Sequence, residues 1–493
     1  MTPSVSIGAA IAAPVLGALA VSLSGRAPNV RESFTMITTL ITFGLVAGLV
    51  PEVMSGARPE LVLIELLPGL SLRFEVEPLG MLYALVASGL WIVTSLYAFG
   101  YMRGHHEGNQ TRFYVCFALA ISAALGIAFA GNLLTLFIFY EVLTFSTYPL
   151  VTHRGTDEAR RGGRTYLGVL VTTSICFLLF GIVWTYALTG TLDFESGGIL
   201  AGSAEPWQVP LLLALFVLGI GKAATMPFHR WLPAAMVAPT PVSALLHAVA
   251  VVKAGVFSVL KVVVYVFGID LLSETGGSVW LMYLAASTIL ISSLIALYQD
   301  NLKRRLAYST ISQLAYIVLG GALATASGVL GGALHIAMHA VGKITLFFCA
   351  GAIDVAQHKQ KVSELRGIGR SMPFTMAAFA LGSFSIIGLP PFGGAWSKWY
   401  LALGSAEGPL PGFMVVYMLS SLLSIGYLMP IVVRAFFFSP DGSDGESAEG
   451  TARQLKEAPL LCVVPLCLTA IGSVLIFFYA PRIEALLRPL VGG

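Results

Sequence analysis

Charge is what this sequence has least of. Asp, Glu, Lys and Arg make up 11% of its 493 residues, against roughly 25% in a soluble domain. A soluble protein of this length must coat its surface with polar groups, and this chain has too few. Its formal net charge is only +3, which leaves no basic surface to neutralise phosphates, so no nucleic-acid partner is expected. Cysteine is equally thin. Among Cys116, Cys176, Cys349, Cys462 and Cys467 there is no CxxC, and the one close pair, Cys462 and Cys467, lies in an apolar stretch without histidine. That pattern argues against iron–sulfur and zinc ligation. A Gly-rich nucleotide loop and a pair of haem-ligand helices are also missing. The chain is therefore expected to hold no cofactor, no metal and no redox centre of its own. Residues 4–23 lack the basic flank that precedes a secretory signal, so they read as a membrane helix and not as a cleaved leader. What is abundant is apolar: 57% of the residues. Disorder and a small disulfide scaffold are excluded, and an all-α polytopic membrane protein remains.

A membrane helix needs about 20 mainly apolar residues. Fourteen stretches qualify: 4–23, 34–51, 79–101, 112–130, 132–152, 163–187, 208–225, 241–268, 279–298, 305–324, 327–353, 373–401, 412–436 and 459–480. With fourteen spans the loops alternate sides. Nineteen of the 28 basic residues fall in or beside the loops after odd-numbered spans, and four (Arg58, Arg73, Arg482 and Arg488) fall on the opposite side. The positive-inside rule then places both termini outside the cytoplasm. Residues 71–77, Ser-Leu-Arg-Phe-Glu-Val-Glu, alternate apolar with polar, and Leu-Pro-Gly-Leu (67–70) before them is a turn signal. Together with the apolar run 61–66 they predict a small external β-hairpin over 61–77. The acid-rich tract 441–450 reads as a flexible inner loop. The chain thus divides into N-terminal helices with the hairpin (1–110), a transmembrane core (111–436), and an inner loop with the last helix (437–493).

The five basic residues left over are Lys222, Lys253, Lys261, Lys343 and Lys398, all inside predicted spans. A lysine at mid-membrane costs about 2.5–3.5 kcal/mol on insertion scales. The bland alternative is snorkelling to the interface, which suits Lys261 best because it lies furthest along its helix. Its loss is expected to matter less than that of the others. Taking a lysine out of water disfavours its charged form, so a buried lysine can take up and release a proton, whereas arginine stays charged. Arginine dominates the inner loops, yet every mid-span base is lysine. Glu141 lies in FIFYEVLTF, about 13 Å down its span. Paired with a lysine it would favour the charged form, and separation of the pair would release the proton. A static ion pair is the alternative.

Histidines extend the row. His335, His339 and Lys343 are spaced i, i+4, i+8 and share one helical stripe about 12 Å long. A lone histidine on an apolar face is usually a satisfied core residue, but two histidines and a lysine in one stripe point to a proton relay. His247 and Lys253 lie on one span about 120° apart, so another group or water must bridge them. His229 follows Lys222 at the inner end of its span. Two spans are broken. Pro227 follows Lys222 in GKAATMPFHRW, and GLPPFGG (388–394) precedes Lys398. Interrupted helices at membrane depth line hydrated cavities, and paired interruptions point to a transporter. Their spacing, in the seventh and twelfth spans, fits two inverted five-span repeats.

FIFYEVLTFSTYPLV, GKAATMPFHRWLPAAMVAPTPVSALLHAVAVVKAG, DNLKRRLAYSTISQLAYI and HIAMHAVGKITLFFCAG resemble the proton-translocating, antiporter-like subunits shared by respiratory complex I, membrane-bound hydrogenases and Mrp-type cation/proton antiporters. The resemblance runs through most of residues 61–440 and implies fourteen spans with a row of buried charged residues joining two half-channels. It makes Glu141 and Lys222 the coupled pair, Lys253 the central relay and Lys398 the distal exit, with His335, His339 and Lys343 as the connecting path. Length, the lysine at 398 and the LLHAVAVVKAG pattern bring the chain nearest to the D-type Mrp subunit, with a C-type or hydrogenase-linked paralogue as the alternative. The implied setting is a bacterial inner membrane, with other membrane subunits as partners, protons as cargo and sodium as a candidate coupled cation. Few buried carboxylates are present, so this chain is expected to conduct the protons. The rival expectation is an M- or N-like pump subunit of NADH–quinone oxidoreductase or of a related membrane-bound hydrogenase, in which the chain would be part of a redox translocase.

Overall fold

The computed structural model describes residues 2–67, 69–439 and 455–492. The acid-rich tract 441–450 lies outside the described residues. The principal helices in chain order are α1 (Pro3–Leu23), α2 (Pro28–Met54), α3 (Pro78–Gly104), α4 (Gln110–Ala128), α5 (Leu133–Val151), α6 (Asp157–Thr189), α7 (Gln208–Gly219), α8 (Thr240–Phe267), α9 (Val279–Tyr298), α10 (Leu302–Ala322), α11 (Ala326–Gln357), α12 (Pro373–Ile387), α13 (Gly394–Glu407), α14 (Phe413–Phe437) and α15 (Leu460–Val491). Eleven are long and apolar enough to cross a membrane. The exceptions are α10, which starts on the basic run Lys303-Arg304-Arg305, and the shorter α7, α12 and α13.

The expected hairpin is present, with antiparallel strands β1 (Glu60–Leu67) and β2 (Leu70–Glu75) paired from Glu60↔Glu75 to Leu67↔Leu70. It closes two residues earlier than the alternation predicts. Glu77 leaves the strand because its carboxylate accepts from the backbone N–H of Leu79 (2.6 Å) and Gly80 (2.8 Å), capping α3. The hairpin docks on the turn between α4 and α5: Glu75 N–H donates to Phe129 O (2.7 Å) and Gly131 N–H to Arg73 O (2.9 Å).

α8 and α11 sit at the centre. The best membrane window of α8 is 100% buried and that of α11 is 94% buried. Nearly every side of these helices meets protein, so the lysines and histidines they carry are shut away from lipid. The peripheral helices turn residues such as Leu16, Leu19, Val142, Phe145 and Leu422 outward, which suits lipid or neighbouring subunits.

Both expected breaks exist, and one starts earlier than the sequence suggests. The predicted span 208–225 is helical only to Gly219. The chain then makes a tight turn at Gly221–Ala223, passes through the left-handed Ala224 (φ 53°) and carries a cis Met226–Pro227 bond. Side chains take over the hydrogen bonds that the helix gives up: Trp231 Nε1 donates to Gly221 O (2.9 Å) and Lys222 N–H to the Tyr140 hydroxyl (3.0 Å). The predicted span 373–401 is split into α12 and α13 by residues 388–393, with Gly388 at φ 93° and a cis Pro390–Pro391 bond.

Candidate functional site

Lys222 is buried in the first break. Its Nζ donates to Tyr140 O (2.7 Å) and Thr144 Oγ1 (2.5 Å), and lies 3.2 Å from the centre of the Tyr140 ring. These partners are one turn apart on α5. Gly255 of α8 makes the approach possible, because a Cβ there would strike the backbone of Lys222 and Ala223. Gly255→Ala is therefore expected to displace Lys222 and cut proton flux about tenfold or more, while the protein still inserts; flux in membrane vesicles checks this. Glu141 is one residue from Tyr140 and so points about 100° away from it. Its two carboxylate oxygens are buried and have no hydrogen-bond partner. The expected Glu141–Lys222 ion pair is not formed in this arrangement.

The centre of the row is a contact between α8 and α11. Lys253 Nζ lies 2.7 Å from His339 Nδ1, with both side chains buried. One turn along α11, His335 stacks near His339, ring centres 5.6 Å apart, and its Nδ1 meets Ser397 Oγ of α13 at 2.8 Å. Tyr316 lies parallel to His335, ring centres 5.6 Å apart, and Lys398 Nζ sits 5.1 Å from the Tyr316 ring centre. Lys253, His339 and His335 thus line up toward the second break, joined by a direct contact at Lys253–His339 and by ring stacking between the two histidines.

Lys398 is held by that break. Its Nζ donates to Ile386 O (2.8 Å), Ile387 O (3.0 Å) and Ser421 Oγ (2.9 Å). The first two are carbonyls at the end of α12, where a helix favours a cation. Gly388 is required here twice over, by its positive φ and because a Cβ would lie 2.7 Å from Lys398 Cδ. An apolar cavity of about 740 Å³ opens beside Lys398 between α13 and α14.

Three expected members stand apart from this line. Lys343 continues the stripe, but it faces α10 and donates to Ser309 Oγ (2.6 Å) and Leu306 O (3.3 Å). His247 lies in a widened turn, Leu245–Val249, that resets the helical register between it and Lys253. It packs on Phe347 (ring centres 4.6 Å apart) with both ring nitrogens unpartnered. His229 lies near Tyr308, ring centres 6.4 Å apart, with Nδ1 unpartnered. Unpartnered buried polar atoms in one region are where bound water belongs. At the start of α8, Thr240 donates to the Tyr101 hydroxyl (3.5 Å), one turn from His105, which lies 3.5 Å from Asp354.

Lys261 requires a correction. It does not snorkel. It is 1% exposed and forms an ion pair with Glu77 at 3.3 Å. The sequence reading missed Glu77, and it also missed the hydroxyl and carbonyl partners Tyr140, Thr144, Ser309, Ser397 and Ser421. Of these only Tyr140 and Thr144 carried a signal, as neighbours of Glu141 in FIFYEVLTF.

A transmembrane family described as NADH:quinone oxidoreductase/Mrp antiporter matches residues 130–424, which include every residue of the row. The chain belongs to this family. Its type is the proton-translocating membrane subunit common to complex I and Mrp complexes. It is 33% identical over 429 residues to NADH-quinone oxidoreductase subunit N of Desulforudis audaxviator, with 84% of each chain covered. It is 30% identical over 448 residues to a probable K(+)/H(+) antiporter protein of Rhizobium meliloti, covering 88% of this chain but only 44% of that one. The Mrp complex from Dietzia sp. has a chain of the same fold, with a TM-score of 0.85 at 20% identity over 100% of this chain and 97% of the other.

Proposed function

We propose that this chain moves protons through the membrane part of a multisubunit monovalent cation/proton antiporter, with sodium or potassium as the exchanged cation. The observation that carries the reading is the buried Lys253–His339 contact at 2.7 Å. A primary amine and an imidazole in direct contact can share one proton, and among the described residues neither has an acid beside it to fix that proton in place. In this reading Glu141 and Lys222 act as the coupled pair. Lys253, His339 and His335 carry the proton to Lys398, and Lys343, His247 and His229 serve water-filled side branches. The translocating core is 111–436, built as two inverted five-span repeats within fourteen spans, in a bacterial inner membrane with both termini outside. The second reading is a proton-pumping subunit of a redox complex, favoured by the 33% identity to an NADH-quinone oxidoreductase subunit.

Mass spectrometry of what co-purifies with a tagged chain in gentle detergent separates the two. Small hydrophobic subunits and larger paralogues alone fit the antiporter. Flavin, iron–sulfur or quinone-site subunits would transfer the same row to a redox pump.

A further inference from the structure

The row just described leaves Lys261 without a task. It lies two turns beyond Lys253 on α8, about 12 Å along the axis. Phe257 occupies the turn between them, packed against Tyr83 at 5.0 Å between ring centres, and Tyr83 is pinned by its hydroxyl to Ala250 O (2.9 Å). Beyond this aromatic plug, Lys261 Nζ donates to Ala130 O (2.7 Å) and pairs with Glu77. Ser258, one turn back on the same face, has a buried hydroxyl with no partner.

The two partners are not equivalent. Glu77 also accepts from two backbone N–H groups at the start of α3 and from the Tyr265 hydroxyl (3.0 Å). Its charge stays satisfied when Lys261 gives up a proton. Lys261, by contrast, has Glu77 as the one acid in direct contact with it among the described residues. A void of about 10 Å³, the size of one water, adjoins the pair and is lined by Arg58, Glu75, Gly131 and Tyr265. Side-chain exposure rises outward from 1% at Lys261 and 4% at Glu77 to 13% at Glu75 and 59% at Glu60, with Arg73 bridging Glu75 and Glu60 and Arg58 paired with Glu75. A buried ion pair that served only to glue the hairpin would be replaceable by apolar side chains without loss.

We infer that Lys261, held in place by Glu77, is a second proton-transfer site that passes protons between Lys253 and the hairpin surface across the Phe257–Tyr83 plug. Resting on the proton-conducting reading above, it adds an opening at the hairpin end of α8. The Lys261 ammonium gives its proton to a water in the void, which passes it to Glu75 and solvent. The amine is then reprotonated from the Lys253 side.

The test measures proton flux in membrane vesicles holding the assembled complex, with the level of this chain read by immunoblot. Lys261→Arg keeps the charge and the ion pair but cannot cycle a proton. The neutral double variant Lys261→Met/Glu77→Gln leaves no unpaired charge buried, so it accumulates even if the arginine does not fit. Both are expected to lower flux about 100-fold or more at normal protein levels. Wild-type flux in either variant would overturn the inference and make the pair structural. Lys253→Met, assayed alongside, separates the two levels: if it too leaves flux intact, the proton-conducting reading itself fails.

Discussion

Lys253→Met is expected to abolish proton movement, by about 100-fold or more, while leaving the complex assembled. In the proposed path Lys253 is the point where α8 and α11 exchange a proton, and its Nζ meets His339 Nδ1 directly. Methionine has nearly the same length and no charge, so the packing of α8 against α11 survives. Removing the lysine also leaves no charge stranded, because His339 can remain neutral. Lys253→Arg is expected to be as inactive as the methionine variant although it restores the cation, since guanidinium does not give up its proton. A structural role would give the opposite order, with arginine rescuing and methionine failing to accumulate. His339→Ala is expected to reproduce the loss, because it severs the same contact and removes the ring that His335 stacks on. Flux and immunoblot on these three variants decide the matter, and normal flux in Lys253→Met would remove the central relay from the path.

How much of this was legible in the residues depends on which interaction does the work. The i, i+4, i+8 spacing of His335, His339 and Lys343 correctly put them on one stripe, because a continuous helix preserves that geometry. The same arithmetic could not place His247 against Lys253, because the widened turn at Leu245–Val249 inserts extra backbone between them. The partners of the lysines were mostly invisible. Ser309 and Ser421 are common residues in membrane helices, and only the tertiary packing brings them to a lysine, as it brings Ser397 to His335. The carbonyls of Ile386 and Ile387 that hold Lys398 are free only because α12 stops at Ile387. Glu77 was hidden for another reason. It ends an alternating tract that reads as hairpin, so its charge looked exposed, whereas its side chain is 4% exposed under Tyr265 and Lys261.

The pair Glu141 and Lys222 carries the second large effect, and it does so because the two side chains are apart. Lys222 rests in a cage of Tyr140 O, Thr144 Oγ1 and the Tyr140 ring, while the Glu141 oxygens are buried without a donor. A second position, in which Lys222 swings from Thr144 toward Glu141, would give that carboxylate a charged partner and is the one the coupled-pair reading requires. Lys222 would hold its proton more tightly beside the carboxylate and less tightly in the cage, which is the switch that coupling requires. Lys222→Ala and Glu141→Ala are each expected to abolish transport by about 100-fold or more with the protein retained in the membrane. Thr144→Val tests the switch itself. It removes the shortest hydrogen bond of the cage without touching a charge, biasing Lys222 toward Glu141. It is therefore expected to lower flux about tenfold, a shift of about 1.4 kcal/mol in the balance between the two positions. Normal transport in Lys222→Ala or Glu141→Ala would rule out the coupled pair. Normal transport in Thr144→Val alone would leave the two charges in place but show that the cage is not one of the working positions.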